Sequence, residues 1–133
     1  MINRIPKNPR LGTVQLEKFT AKKFNEVLEY QTPITLTDES IIKWDLRKGY
    51  NATVTLAGSR TLLPSQVTKG DYGTIKIVQG GSGSYTLTLP SGSKVANAGA
   101  GAITLSTAVG AIDVASFYYD GVNYFWTISL DFT

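Results

Sequence analysis

The chain has 133 residues, no Cys, no His, 13 Gly and a formal net charge of +3 at pH 7. This length fits one domain with a modest core, and a hydrophobic content of 42% excludes a compositionally disordered chain. The absence of His and Cys excludes Ser-His-Asp and Cys-His nucleophiles, thiolate chemistry and the usual ligands of zinc, haem and iron–sulfur clusters. We therefore predict a non-enzymatic binding or structural protein without a cofactor.

The beginning of the chain does not have the pattern of a targeting segment. Residues 1–11 contain two prolines and no apolar core, which a secretory signal requires. No stretch of the sequence approaches the roughly 18 apolar residues of a membrane span. We expect a protein made in a cytoplasm, with no disulfide and no membrane span.

The positive charge is concentrated at the N-terminus. Residues 1–25 contain six basic side chains and one acidic side chain, a net charge of +5. Residues 26–133 contain seven basic and nine acidic side chains, a net charge of −2. The chain therefore divides into a basic beginning and a mildly acidic body.

Residues 1–19 are predicted to form an extended basic arm. Pro6 and Pro9 fix their own φ angles and favour extended conformations in the residues that precede them. Such an arm is suited to docking on a negatively charged or grooved partner; the alternative is a solvated tail. Because it lacks a dense run of Arg and Lys, nucleic-acid binding is not expected. The candidate docking residues are Arg4, Lys7 and Arg10.

A short helix and a connector are predicted over residues 20–32. Thr20 has the character of a helix N-cap, with the helix over about residues 21–29. Phe19 and Phe24 flank the cap at the spacing of a hydrophobic staple.

From residue 33 onward the hydrophobic period changes from 3.6 to 2, so residues 33–133 are predicted to form a β domain. Apolar side chains alternate with Thr or other polar side chains in about eight short segments. Such alternation is typical of an antiparallel sandwich or barrel with Thr on its outer face. The predicted strands are residues 34–37, 42–46, 52–56, 74–78, 85–89, 103–106, 112–119 and 124–132.

The remaining catalytic option is a pair of carboxylates, as in the hydrolysis of polysaccharides by glycosidases. Each has a structural explanation, because it stands beside a turn glycine, on an outward strand position or at the start of a strand. We therefore predict structural roles for them, with a neighbouring backbone N–H or a basic side chain as the partner of Asp113. The five candidates are Asp45, Asp71, Asp113, Asp120 and Asp131.

Aromatic residues are concentrated at the C-terminus, where seven of the 14 lie in the last 17 residues. Because side chains alternate along a strand, this pair of strands must place aromatic rings on both faces. One face can fill the core, and the other must meet solvent, a sugar or another subunit. We favour a subunit interface over carbohydrate stacking. The candidate contact residues are Tyr118, Tyr119, Tyr124, Phe125 and Trp126.

Several segments together resemble a known type of domain. Residues 50–62, YNATVTLAGSRTL, resemble a signature N-x-T-V-T-L-x-G-[NS]-R-T-L. Residues 73–79 (GTIKIVQ), 84–89 (SYTLTL) and 104–127 continue the resemblance in the same order. The chain thus resembles, over roughly residues 42–133, the small β domain of virion fibre and appendage proteins of tailed bacteriophages.

The resemblance implies an all-β, commonly trimeric module exposed on a virion, and it carries no catalytic residue across. Because this chain has an arm, a helix and one β domain but no repetitive shaft, it is more like a head fibre or capsid decoration protein than a complete tail fibre. The expected partners are other virion proteins of the capsid or tail, further copies of the chain, and a host surface glycan or protein. The alternatives are a tail-fibre tip or adaptor that binds a host receptor, and a free carbohydrate-binding module that stacks sugars on Tyr118, Tyr124 and Trp126.

Overall fold

The computed structural model describes residues 21–23, 25, 31–96 and 101–133. Residues 21–23 and 25 are helical, in agreement with the predicted helix, and residue 31, predicted to belong to the connector, is helical as well. The arm over residues 1–19, with Arg4, Lys7 and Arg10, lies outside the described residues, as do the predicted cap and staple residues.

The described residues that follow form nine β-strands. The strands are β1 (Ile34–Thr35), β2 (Ile41–Asp45), β3 (Asn51–Leu56), β4 (Arg60–Ser65), β5 (Tyr72–Gln79), β6 (Leu87–Thr88), β7 (Ser93–Val95), β8 (Ile112–Tyr119) and β9 (Tyr124–Ser129). They form a six-stranded sheet in the order β1-β3-β5-β8-β9-β7 and a three-stranded sheet in the order β2-β4-β6. The predicted all-β fold is confirmed.

The first six strands alternate between the two sheets. Because each strand passes to the opposite sheet, its neighbour within a sheet lies two strands further along the chain and runs in the same direction. The connection from β1 to β3, for example, spans residues 36–50 and includes β2. This length satisfies the need of parallel strands for a long crossover. The chain thus winds between the two sheets.

The predicted antiparallel arrangement is correct for only part of the fold. Of the seven strand pairs in the described residues, β5–β8 and β8–β9 are antiparallel and the other five are parallel. The alternation of side chains correctly indicates which residues point inward. It carries no information on the direction of the neighbouring strand, and this accounts for the error.

Two strands were not expected from the sequence, and one expected strand is absent. β4 has a continuous apolar pair followed by Pro64, and β7 has only three residues. Pro64 has no N–H to donate, and in the parallel ladder this position faces β6. Because β6 pairs with β4 only at Arg60 and Thr61, Pro64 lies beyond that pairing and is tolerated. Residues 103–106, predicted as a strand, have no regular secondary structure.

The core contains side chains from both sheets in one cluster. Trp44 of β2 meets Phe117 of β8 edge to face, with 5.7 Å between ring centroids. Gly73 of β5 lies beneath both rings, and a Cβ at this position would stand 2.7 Å from Phe117 and 2.8 Å from Trp44. The buried Trp44 indole donates a hydrogen bond of 2.9 Å to the carbonyl of Gly49. The glycine therefore allows two large aromatic rings to close the core between the sheets.

Candidate contact surface

The carboxylate of Asp113 has a structural role. It is buried, with a residue exposure of 1%, and accepts hydrogen bonds from the backbone N–H and the hydroxyl of Ser106, both at 2.7 Å. A third bond of 2.9 Å comes from the backbone N–H of Asp131. Of the two partners expected for Asp113, a backbone N–H or a basic side chain, the structure shows the backbone N–H.

Three other candidate carboxylates bind backbone N–H groups of their own turns. Asp45 accepts from Arg47 N–H at 3.0 Å and Asp71 from Thr68 N–H at 2.7 Å. Asp120 accepts from Asn123 N–H at 2.7 Å and from Val122 N–H at 2.9 Å. These two bonds, first that from Asn123, lower the pKa of Asp120. Asp131 is exposed just after β9, with a positive φ of 56°.

The segment that carries the sequence resemblance forms β3, a three-residue turn and β4. Arg60 donates two hydrogen bonds of 2.8 Å to the carboxylate of Asp38, one from Nε and one from Nη2. The hydrogen bond from the Arg60 side chain is the main reason that the pKa of Asp38 lies below its ordinary value. The Arg60 guanidinium crosses Gly58, where a Cβ would lie 2.6 Å from Nη1. The Gly and Arg of this signature thus hold the turn between the sheets.

An exposed aromatic row crosses the outer face of the six-stranded sheet. Tyr72 of β5 is in register with Tyr118 of β8, and Tyr118 with Phe125 of β9. Their exposed fractions are 57%, 52% and 42%. We call Tyr72, Tyr118 and Phe125 the aromatic row; it places three aromatic side chains side by side at the surface.

The five aromatic residues predicted to make contacts are divided between the two faces. Tyr118 and Phe125 belong to the aromatic row, whereas Trp126 is buried and only 1% exposed. Tyr119 and Tyr124 lie half-buried on the Trp126 face, with ring centroids 4.6 Å apart. Burial is the main reason that the pKa of Tyr124 is raised. The prediction that Tyr118, Tyr124 and Trp126 form one stacking surface is therefore wrong, because Trp126 is buried and does not reach the outer face.

Tyr72 is a surface residue that was not predicted from the sequence. The segment predicted as its strand began two residues later, although Tyr72 continues the alternation of exposed side chains along β5. Its position opposite Tyr118 depends on the register between strands 46 residues apart in the chain. Such a register cannot be deduced from the pattern within either strand.

A cavity of about 370 Å³ lies at the β3 side of the aromatic row. The rings of Tyr50 and Tyr72 meet there at 60°, with 5.2 Å between their centroids. Asn51 Nδ2 donates a hydrogen bond of 3.2 Å to the backbone carbonyl of Gln31, which connects the helical segment to β3. The side chains that line this cavity belong to Gln31, Tyr50, Asn51, Tyr72 and Thr74.

Within the part of the chain that the structure describes, no group of three or more His, Cys, Asp or Glu residues is arranged to hold a metal ion. No helix in this part is long and apolar enough to cross a membrane. Comparison of the chain with known protein families, curated proteins and solved structures gives no match. The resemblance to phage virion β domains therefore stays a prediction from the sequence.

Proposed function

We propose that the chain is a non-enzymatic structural protein of a tailed-phage virion, of the head-fibre or capsid-decoration type. The observation that supports a contact role most strongly is the aromatic row. Three aromatic side chains, each more than 40% exposed, occupy adjacent strands of one sheet. Aromatic side chains are enriched where proteins meet, and such a patch is costly when left in water. The phage context rests on the sequence resemblance.

The roles of the described carboxylates support a structural protein. Asp113 fastens β8 to two other segments, and Asp38 fastens the turn between β3 and β4 through Arg60. These acceptors are engaged with the donors of their own fold.

In this proposal the basic arm docks on the capsid through Arg4, Lys7 and Arg10. The helical segment then reaches the β domain at its outer face, where Gln31 is bonded to Asn51 of β3. Copies of the chain associate around a symmetry axis, and Phe125 and Tyr118 form the contacts between them. A trimer is the favoured assembly. The β domains project outward from the virion surface.

The proposal is tested by replacing Phe125 with Asp and measuring the native mass. Because the change places a charge in the contact, we expect the mass to fall from that of three copies of the 14.4 kDa chain to that of one. Thr127→Asp is the matched control, since Thr127 is exposed two residues further along β9 and lies outside the row. A wild-type protein that is already monomeric, or a Phe125→Asp variant that stays trimeric, would contradict this interface.

A second candidate is a tail-fibre tip or adaptor that binds a host receptor; a free carbohydrate-binding module is the third. The cavity beside Tyr72 favours a ligand-binding role for either. Electron microscopy of virions carrying a labelled copy of the chain separates head from tail. Label on the capsid supports the head-fibre proposal, and label on the tail supports the receptor-binding alternative.

A further inference from the structure

The cavity has walls of two different kinds. Tyr50 and Tyr72 supply two ring surfaces that meet at a corner, with 5.2 Å between their centroids. Gln31, Asn51 and Thr74 supply two amides and one hydroxyl. The cavity reaches the surface because Tyr72 and Gln31 are both exposed. It is therefore a recess with aromatic and neutral polar walls, near the lower end of the roughly 300–1,000 Å³ typical of small-molecule sites.

The polar groups around the recess can both donate and accept hydrogen bonds. A side-chain amide has an acceptor oxygen and two N–H donors, and a hydroxyl has both functions in one group. The bond from Asn51 Nδ2 to the Gln31 carbonyl uses one of the two Asn51 amide hydrogens and orients the side chain. Thr74 Oγ1 is held 3.0 Å from Ser116 Oγ. Asn51 and Thr74, two of the three polar residues, are thus held on the neighbouring strands β3 and β5 rather than carried on a loop.

The five lining residues that the structure describes carry no charge at neutral pH. A charged ligand would lose hydration in the recess without meeting an opposite charge among these five side chains. A purely apolar ligand would leave the amides and the hydroxyl without new partners. The chemistry of the walls therefore matches a neutral molecule that has an apolar face and several hydroxyl groups.

We propose that the recess formed by Tyr50, Tyr72, Asn51, Gln31 and Thr74 binds one neutral pyranose unit of a glycan. The C–H face of the sugar packs on the tyrosine rings, and its hydroxyl groups bond to the amides and to Thr74. The inference rests on the proposed function in one respect, because a surface appendage presents this recess to glycans of a host. The binding itself needs only the β domain and the end of the preceding helical segment.

The site is tested on the full-length chain by saturation-transfer NMR and titration with methyl glycosides of glucose, galactose, N-acetylglucosamine and rhamnose. We expect at least one of them to bind saturably. Tyr72→Ala removes one ring wall, and we expect it to weaken that binding about tenfold or more, equivalent to about 1.4 kcal/mol. Asn51→Ala is expected to weaken it in the same direction.

Phe132→Ala is the matched control. Phe132 is also aromatic and similarly exposed, but it belongs neither to the aromatic row nor to the side chains that line the recess. Its variant should bind the glycoside with unchanged affinity, and circular dichroism should show all three variants folded. Equal loss in Tyr72→Ala and Phe132→Ala would overturn the recess as the site. Failure of all four glycosides, or saturable binding of N-acetylneuraminic acid alone, would overturn a neutral-pyranose site.

Native mass, measured on the same samples, separates this inference from the proposed function. Glycoside binding by a monomer would support the recess and contradict the trimer. A trimer that binds none of the glycosides would support the trimer and overturn the recess.

Discussion

At the scale of single residues, Asp113 joins three parts of the chain that are separate in sequence. Its carboxylate, at the start of β8, accepts from Ser106 in the preceding loop and from Asp131 after β9. A buried carboxylate that accepts three hydrogen bonds fixes the loop and the chain end relative to the sheet. The sequence indicated either a backbone N–H or a basic side chain as the partner of this acid, which stands at the start of an apolar strand. The identity of the partners depends on the loop geometry.

Replacement of Asp113 by Ala should destabilise the fold by about 1–3 kcal/mol, because it leaves buried donors without acceptors. Asp113→Asn should also destabilise the fold. An amide has one oxygen and one nitrogen in place of the two carboxylate oxygens, so at one of the two positions an N–H donor faces another donor. Urea unfolding at equal protein concentration measures both changes. Asp45→Ala is the control and should change stability by less than about 0.5 kcal/mol. Equal stability of wild type and Asp113→Ala would contradict the role given to the carboxylate.

At the scale of elements, the turn from β3 to β4 is fastened by the ion pair of Arg60 and Asp38. Both side chains are about one-fifth exposed and joined through two parallel hydrogen bonds. The pair connects the segment between β1 and β2 to the start of β4, so it joins successive windings of the chain. A bidentate contact of this kind needs the planar guanidinium, which Lys cannot replace.

We expect Arg60→Lys to lower the unfolding temperature at pH 7, by less than Asp113→Ala does. Arg60 lowers the pKa of Asp38 in the folded state, so the folded protein holds that proton more weakly than the unfolded chain. The stabilisation by the Arg60–Asp38 pair is therefore complete above the ordinary pKa of Asp, about 4. It declines as the pH falls through the lowered pKa of Asp38. Thermal unfolding from pH 7 to pH 2 should show the wild type and variant converging in acid. An Asp38→Asn background, in which the difference should lose its pH dependence, is the control.

The elements also show what alternation predicts and what it does not. The inward positions of β3, β5, β8 and β9 follow from their period of two, and the structure buries or half-buries those side chains. The partners of the strands do not follow, because a parallel and an antiparallel neighbour bury the same alternate residues. Tyr118 and Phe125 were therefore predictable as contact residues from the pattern of their own strands. The place of Tyr72 in the aromatic row depends on the register between β5 and β8, which that pattern does not contain. Tyr50 and Gln31 entered the recess through packing between distant segments.

At the scale of the whole molecule, the excess of positive charge precedes the β domain in the chain. The net charge of +3 consists of +5 in residues 1–25 and −2 in the remainder. The buried apolar side chains of the described β domain form one cluster between the two sheets. In the proposed function, the basic end of the chain provides attachment and the β domain projects from the virion.

Deletion of residues 1–19 should leave the native mass corresponding to the same number of copies and abolish incorporation into virions. Complementation of a phage lacking the gene, followed by analysis of purified particles, measures incorporation. A full-length variant with Arg4, Lys7 and Arg10 changed to Glu should fail in the same way. The matched control changes three exposed lysines of the β domain to Glu: Lys43, Lys48 and Lys69. Incorporation of the truncated chain would contradict the docking role.

The parallel winding of the first six strands has a consequence for how such a protein can change in size. Ile34 pairs with Ala52, 18 positions further on, and Ala52 pairs with Ile75, 23 positions further on. The windings therefore differ in length while each keeps its register with the next, because the connections absorb the difference. In an arrangement where each winding contacts mainly its neighbours, stability is gained in increments. Duplication of a single winding is thus a route by which evolution or design can make the domain taller without inventing a new core.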